Sequence, residues 1–508
     1  MARTSVLRFL RAGTESPTTW LAILIGFLFR AAICLHPYSG AGKPPMYGDY
    51  EAQRHWMEIT TNLPVSEWYA ETKQNNLSYW GLDYPPLSAY QSWLYGKVIE
   101  RLDPDAMALG ESHGYESADS KRYMRQSVMI SDLIVLVPAL LACRRVFCRG
   151  SAEKGDLMLL GSLMQPALLL IDHGHFQYNS ISLGLAAGAA AAVASGKDVL
   201  GSILFCLAMN HKQMAMFYAP AFFAHLLGRC LQKPSLSSKM AAIARLGLAV
   251  TATFVVVWAP FLANPSDALH VLHRIMPLKR GLYEDYVANF WCTTSMLVKW
   301  RSIFSQQALV WLCMGSTLLA AMPVLVQEVR RPTARGLLVC MASSAFAFYL
   351  FSYQVHEKSI LLPLMPVMLL GPDQPIMTRW LPPVACFSMY PLLKKDGLTL
   401  AYIALMLLWG AMTWPAVGEE RKERQTEASR DHVEAQVSER WRSLLLMGLY
   451  VSVGLAVGIH AAPLIWKAPK QYPYIFDALF TSFSFLHILG LAVYLQYQGL
   501  ANKQLKGD

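Results

Sequence analysis

Charge is scarce in this sequence. Asp, Glu, Lys and Arg make up only 15% of its 508 residues, against about 25% in soluble globular chains, which excludes an ordinary water-soluble domain. Paired cysteine motifs are missing too. The nine cysteines are scattered, mostly within apolar runs, with no C-x-x-C. Cys143 and Cys148 flank an Arg-rich turn without partner histidines, so free buried thiols are expected rather than a metal site. The only D-x-D is Asp103–Asp105, interrupted by Pro104. No similarity joins the two halves of the chain, and a transporter built on inverted repeats would show it. The net charge of +10 does not signal nucleic acid, because the basic residues form short clusters between apolar runs rather than one stripe.

What the sequence has in abundance is membrane-spanning length. A full span takes about 17–25 apolar residues, and fewer suffice inside a bundle. Fourteen such runs occur, near 18–36, 127–147, 157–171, 179–195, 198–210, 214–230, 241–262, 306–327, 335–353, 359–371, 378–393, 397–416, 443–465 and 475–498. A patch near 288–300 is too short and too polar to join them. The first run is long for a signal peptide and lacks a small-x-small cleavage site, so it reads as a retained span. Its Arg30 is costly at mid-bilayer and should snorkel or face a polar cavity.

Short-loop Lys and Arg set the orientation. With the N-terminus inside, the inner loops hold Arg144, Arg145, Arg149 and Lys154, then Arg229, Lys233 and Lys239, then Arg330, Arg331 and Arg335. The charged linker 419–442 also falls inside, and Lys394–Lys395 is the main exception. The outer side receives a loop of about 37–126, rich in Trp, Tyr and Pro, and a second near 263–305. Both should fold into short helices against the membrane. The expectation is an all-α polytopic membrane protein, one integral-membrane domain over 1–508, with about fourteen transmembrane helices.

Ionisable residues gather at span ends on that outer side. They lie in GDYEAQRHW (Gly48–Trp56), YWGLDYPPLSAY (Tyr79–Tyr90), DHGHFQYNS (Asp172–Ser180), NHKQM (Asn210–Met214) and QVHEKS (Gln354–Ser359). Singly, each has a structural reading. Asp49 suits a helix N-cap, Asp83 a turn before Pro85-Pro86, Asp172 and His173 interfacial caps, and His356-Glu357-Lys358 a satisfied ion cluster. Together on one face, they supply carboxylates, imidazoles and ammonium groups to one cavity. Such a set suits glycosyl transfer from a lipid phosphate. A carboxylate deprotonates the acceptor hydroxyl, cations steady the departing phosphate, and attack from the opposite face inverts the anomeric centre.

These segments, GDYEAQRHWMEIT, WGLDYPPLSAY, GHFQYNS and QVHEKSI, resemble the signatures of the dolichyl-phosphate-glucose-dependent α-1,3-glucosyltransferases of the endoplasmic reticulum, end to end and in span order. The first two segments are most similar to the enzyme that adds the first glucose. The resemblance implies a GT-C-type fold, an endoplasmic-reticulum membrane location with a lumenal site, and two lipid-linked substrates. These are dolichyl phosphate glucose as donor and Man9GlcNAc2 diphosphodolichol as acceptor, with neither metal nor other cofactor. It implies Asp49 as general base, His356 at the donor phosphate with Lys358 and Arg30 beside it, and Asp83 in acceptor binding or support. Glu51, Arg54, Tyr84, Asp172, His175, Gln177, Lys212 and Glu357 complete the candidate site. Asn76, in the only N-x-S/T sequon without Pro, is a candidate glycosylation site in the outer loop. The sister enzyme that adds the second glucose, or a polytopic lipid or sugar transporter, are the alternatives.

Overall fold

A computed structural model describes residues 16–276, 281–413 and 432–501. Over its described residues, each of the fourteen expected runs coincides with helix. Eight helices are long and apolar enough to cross a membrane: Pro17–Cys34, Ala118–Phe147, Ala152–Phe176, Gln213–Leu231, Leu236–Leu262, Gln306–Arg330, Ala334–Phe351 and Ile475–Leu500. Asn179–Ala194, Asp198–His211, Thr399–Thr413 and Tyr450–Ile465 are apolar and shorter. Leu361–Leu370 is buried along its whole length, and with Pro375–Ser388 it completes the set. Among the described residues, extended pairing is confined to the parallel bridge between Tyr283 and Val355.

The burial pattern separates lipid-facing from bundle-facing helices. Leu236–Leu262 leaves Val255, Val256 and Leu248 exposed, as expected of a helix whose solvent is hydrocarbon. Asn179–Ala194 is instead Ala-rich and buried on most of its faces. It lies so close to Asp198–His211 that a Cβ at Gly201 would meet Val193 Cγ2 at 2.3 Å. Small residues let the backbones approach, and in a membrane that packing replaces the hydrophobic drive.

Two helices differ from the sequence expectation for a local reason. The second span begins at Ala118, nine residues before the apolar run, and passes through a π-helical turn at Asp132–Leu136. Pro138 follows at once, and its ring would clash with the carbonyl of residue 134 in a regular helix; the widened turn relieves this. The DHGHF segment, expected in a loop, is π-helical too. Leu169–Phe176 continues the third span, fully buried, and ends where Phe176 takes φ 91°. The patch near 288–300 holds only the short helices Phe290–Thr294 and Trp300–Ile303, and neither can cross. Of the charged linker 419–442, residues 419–431 lie outside the described residues, and helix runs from His432 to Ile465.

The first long loop is a folded cap. Its helices Asp49–Asn62 and Pro86–Leu102 pack together, and the turns of 104–117 close over them. Arg54 is fully buried between Glu51 and Glu58, with Nη2 at 2.6 and 2.8 Å from their carboxylates. It also donates to Ala106 O and Ser112 Oγ. Glu58 accepts in addition from Gly110 N, Ser112 Oγ and His55 Nδ1. Burial raises the Glu58 carboxyl, but His55 and Arg54 outweigh it and hold it at about 2. Asp103 of the D-x-D accepts from Tyr115 and Ser117, tying the same turns. Removing one partner from such a buried set strands like charges. Arg54→Ala should therefore lower stability by about 3–5 kcal/mol, read as earlier thermal unfolding of detergent-solubilised protein; an unchanged midpoint would contradict this role.

Candidate active site

The helix Asp49–Asn62 starts by burying its first turn against the bundle. Gly48 is its N-cap, packed so tightly that a Cβ would meet Ser39 atoms at 2.5–2.7 Å. Asp49 therefore stands one residue inside the helix, without the capping role its sequence suggests, and its side chain is left for other partners. Ser39 Oγ accepts from Asp49 N, and Ser39 N donates to His175 O, which registers the cap on the π-helical segment.

Three donors converge on a single oxygen of Asp49. His175 Nε2 lies 3.0 Å and Lys358 Nζ 2.7 Å from Oδ2, and the Gln177 amide donates to it as well. Asp49 and Lys358 are 23% and 18% exposed at their side chains, so the cluster is reachable from one side. Burial works against the charge on Asp49, but Lys358 and then His175 outweigh it and hold its carboxyl well below the usual carboxylate range. Burial also works against the charge on Lys358, but Asp49 and then Glu357 together outweigh it and raise its ammonium above the ordinary lysine value. Oδ1 takes part in none of these bonds among the described residues. An ionised carboxylate with one oxygen anchored and the other open is placed to take a proton.

A second chain of groups adjoins the first. Lys212 donates to Asn179 Oδ1 at 2.5 Å and stands 4.8 Å over the Tyr84 ring. Burial and then the charge of Lys358 push its ammonium down to about 8, against the pull of Asp172, Asp49 and Asp83. Gln213 donates to Asp83 O, and Tyr84 O accepts from Tyr69, so the turn ahead of Pro85-Pro86 is held from both sides. Asp172 caps the following helix from seven residues upstream, accepting from Asn179 Nδ2 and Ser180 N at 2.7 and 2.8 Å. The capping reading of Asp172 is the one its geometry shows.

The structure thus brings Asp49, His175, Gln177 and Lys358 together, and sets Lys212, Tyr84 and Asp83 beside them. Other candidates are turned elsewhere. Glu51 and Arg54 face into the cap. Arg30 is fully buried within the bundle, 2.5 Å from Asp132, and donates to Gly26 O and Leu163 O. His173 meets the same Asp132 at 3.0 Å. Arg30 neither snorkels nor joins the Asp49 cluster. His356 pairs with Glu284 of the second loop at 2.7 Å and is 32% exposed. Glu357 is buried, with Oε2 unpartnered. Asn76 is exposed, its side chain accepting from Ser78 N.

Sequence reasoning missed Asp396, Glu284 and Asp132. Asp396 is buried, its carboxylate 2.5 Å from His175 Nδ1. The one signal for it was the Lys394–Lys395 exception to the charge rule, which marks the outer turn carrying it. His55, Glu58 and His113 have the spacing of metal ligands, but Glu58 already accepts hydrogen bonds at both oxygens from the surrounding protein.

A polytopic bundle under a folded cap, with an anchored carboxylate open at one oxygen, defines a membrane protein equipped for acid–base chemistry at the membrane surface. The chain belongs to the ALG6, ALG8 glycosyltransferase family, which it matches over residues 22–494. It is 44% identical over 485 residues to an Arabidopsis thaliana protein named "Probable dolichyl pyrophosphate Man9GlcNAc2 alpha-1,3-glucosyltransferase", covering 94% of this chain and 89% of that one. A Gallus gallus protein named "Dolichyl pyrophosphate Man9GlcNAc2 alpha-1,3-glucosyltransferase" is 41% identical, covering 93% and 95%. A Saccharomyces cerevisiae protein of that name is 40% identical, covering 79% and 75%.

Proposed function

We propose that this enzyme transfers glucose from dolichyl phosphate β-D-glucose to Man9GlcNAc2 diphosphodolichol, forming an α-1,3 linkage with inversion, at the lumenal face of the endoplasmic reticulum membrane. The acceptor and linkage follow the relatives' names. A Man9GlcNAc2 acceptor favours the enzyme of the first glucose over its sister. The observation that carries the chemistry is Asp49, with three donors on Oδ2 and Oδ1 open.

In this reading Asp49 Oδ1 takes the proton from the acceptor hydroxyl as that oxygen bonds to the anomeric carbon. The anomeric bond to phosphate breaks on the opposite face, and its electron pair leaves with dolichyl phosphate. A carboxylate held so far below the usual range is a weak base, and it suits a step in which the hydroxyl turns acidic only as its bond to carbon forms. His356 stabilises the departing phosphate, with Lys358 on the same turn. Asp83, Tyr84 and Lys212 stand beside the Asp49 cluster and support the acceptor. Purified protein given both lipid phosphate sugars should transfer glucose and leave mannose untouched, with an α-1,3 product; mannose transfer, or no transfer of glucose, would refute the donor assignment.

A further inference from the structure

We infer that Asp396 is a positioning residue for the catalytic base, acting through His175. The inference rests on the reading of Asp49 given above. His175 bridges two carboxylates from distant parts of the chain, with Nδ1 2.5 Å from Asp396 Oδ2 and Nε2 3.0 Å from Asp49 Oδ2. If the ring were neutral and gave its only proton to Asp396, a lone pair on Nε2 would face the Asp49 carboxylate. The imidazolium satisfies both contacts, donating from both nitrogens. Asp396 therefore fixes the ring in orientation and charge, and the ring in turn pins Oδ2, so that Oδ1 stays open.

The packing around Asp396 is built for this contact. The turn after Tyr390–Lys395 is closed by Gly397 N to Lys394 O and Leu398 N to Leu393 O, with Gly397 at φ 75°, a conformation that glycine tolerates best. Leu398 lies directly on the His175 segment, since a Cβ at Gly174 would meet its Cδ1 at 3.0 Å. Lys43, six residues before Asp49, donates to Lys395 O and ties this turn to the cap. Within the turn Asp396 carries 5% of its surface exposed, and its carboxylate is hydrogen-bonded to His175 rather than to the turn's own backbone. A residue needed only to shape the turn would not place a buried carboxylate against an imidazole.

The other charged groups around His175 do not replace Asp396. Lys358 Nζ lies 3.2 Å from Nε2 and disfavours a second cation there. Arg125 reaches the segment through Gly174 O at 2.7 Å, and its charge faces Asp396 from the helix Ala118–Ser131. Lys212 and Glu357 act at longer range through Asp49 and Lys358. Among the described residues, Asp396 and Asp49 are the two carboxylates in contact with the ring.

Asp396→Asn keeps an oxygen for the Nδ1 proton and removes the charge. We expect turnover to fall about 10–100-fold, the size seen when the partner that orients a metal-bound imidazole is removed, with little change in KM for either lipid. The loss should deepen as the pH rises through the ordinary histidine range near 6.5, where an unsupported imidazolium gives up its proton. Native enzyme should stay flat there, and Asp396→Glu should recover part of the rate and the flat profile. A purely structural role would lower the yield or melting temperature and leave turnover per folded enzyme independent of pH. That outcome, or native turnover in Asp396→Asn, would overturn the inference. Asp49→Asn measured alongside separates the two readings: its retained activity would remove the base assignment, and its inactivity beside a native-like Asp396→Asn would remove only the role of Asp396.

Discussion

Asp49→Asn should abolish most glucose transfer, by about 10²–10⁴-fold in turnover, while leaving the protein folded and able to bind its donor. Asn matches Asp in size, and its amide oxygen can still accept from Lys358, His175 and Gln177. The helix start does not depend on the side chain, because Gly48 is the N-cap and the contact to Ser39 comes from the backbone. What Asn lacks is a group that can accept a proton. Asp49→Glu keeps that group but displaces it by one methylene from donors that fix the oxygen from three sides, so only a little activity should remain. Lys358→Met adds a pH test. Burial raises the Asp49 carboxyl, and Lys358 and His175 together hold it low; without Lys358, it should rise. A carboxylate base loses its function as the pH falls through its pKa, so the acid limb of turnover should move to higher pH in this variant. Near-normal transfer by purified Asp49→Asn would place the base elsewhere, with Asp83 the next candidate.

His356→Ala should lower turnover by about 10²–10³-fold, the usual loss when a donor to developing negative charge is removed. His356 stands on the turn that also carries Lys358, beside the second loop. Glu284 holds its ring at 2.7 Å, while Glu284 N to Val355 O and Gln354 N to Leu282 O fasten the two segments together. A third of the imidazole is exposed, so an arriving phosphate can meet it from the open side. Acceptor KM should change less than turnover, because the charge on phosphate grows only in the transition state. The pairing with Glu284 allows a second explanation, and Glu284→Gln distinguishes them. If His356 only fastens the second loop, Glu284→Gln should copy the defect and both variants should melt early. If His356 serves the phosphate, Glu284→Gln should retain far more activity than His356→Ala.

Some of this protein was legible in the residues alone. Apolar runs of spanning length are a local signal, set by the thickness of hydrocarbon, and over their described residues all fourteen fall on helices. The motif segments were legible for a similar reason: ionisable residues at span ends are costly unless they serve something. Asp49, His175, Gln177, Lys212 and Lys358 were each singled out this way, and the structure gathers them.

Partner choice among those residues was settled by the packing. His175 meets Asp49 across 126 positions, Asp396 across 221, and Lys358 meets Asp49 across 309, and no periodicity spans such distances. Arg30 and Arg54 show the same limit from the other side. Each is an arginine in a suggestive place, yet Asp132 in the bundle and Glu51 with Glu58 in the cap satisfy them far from the open carboxylate. Which groups stand at the ends of which spans was written in the residue order, because solvent and hydrocarbon act on each residue where it lies. Which carboxylate stays open, and which cation holds it, depended on how the cap and the turn at Asp396 close over the bundle, because ion pairs form between whatever charges the packed helices bring within reach.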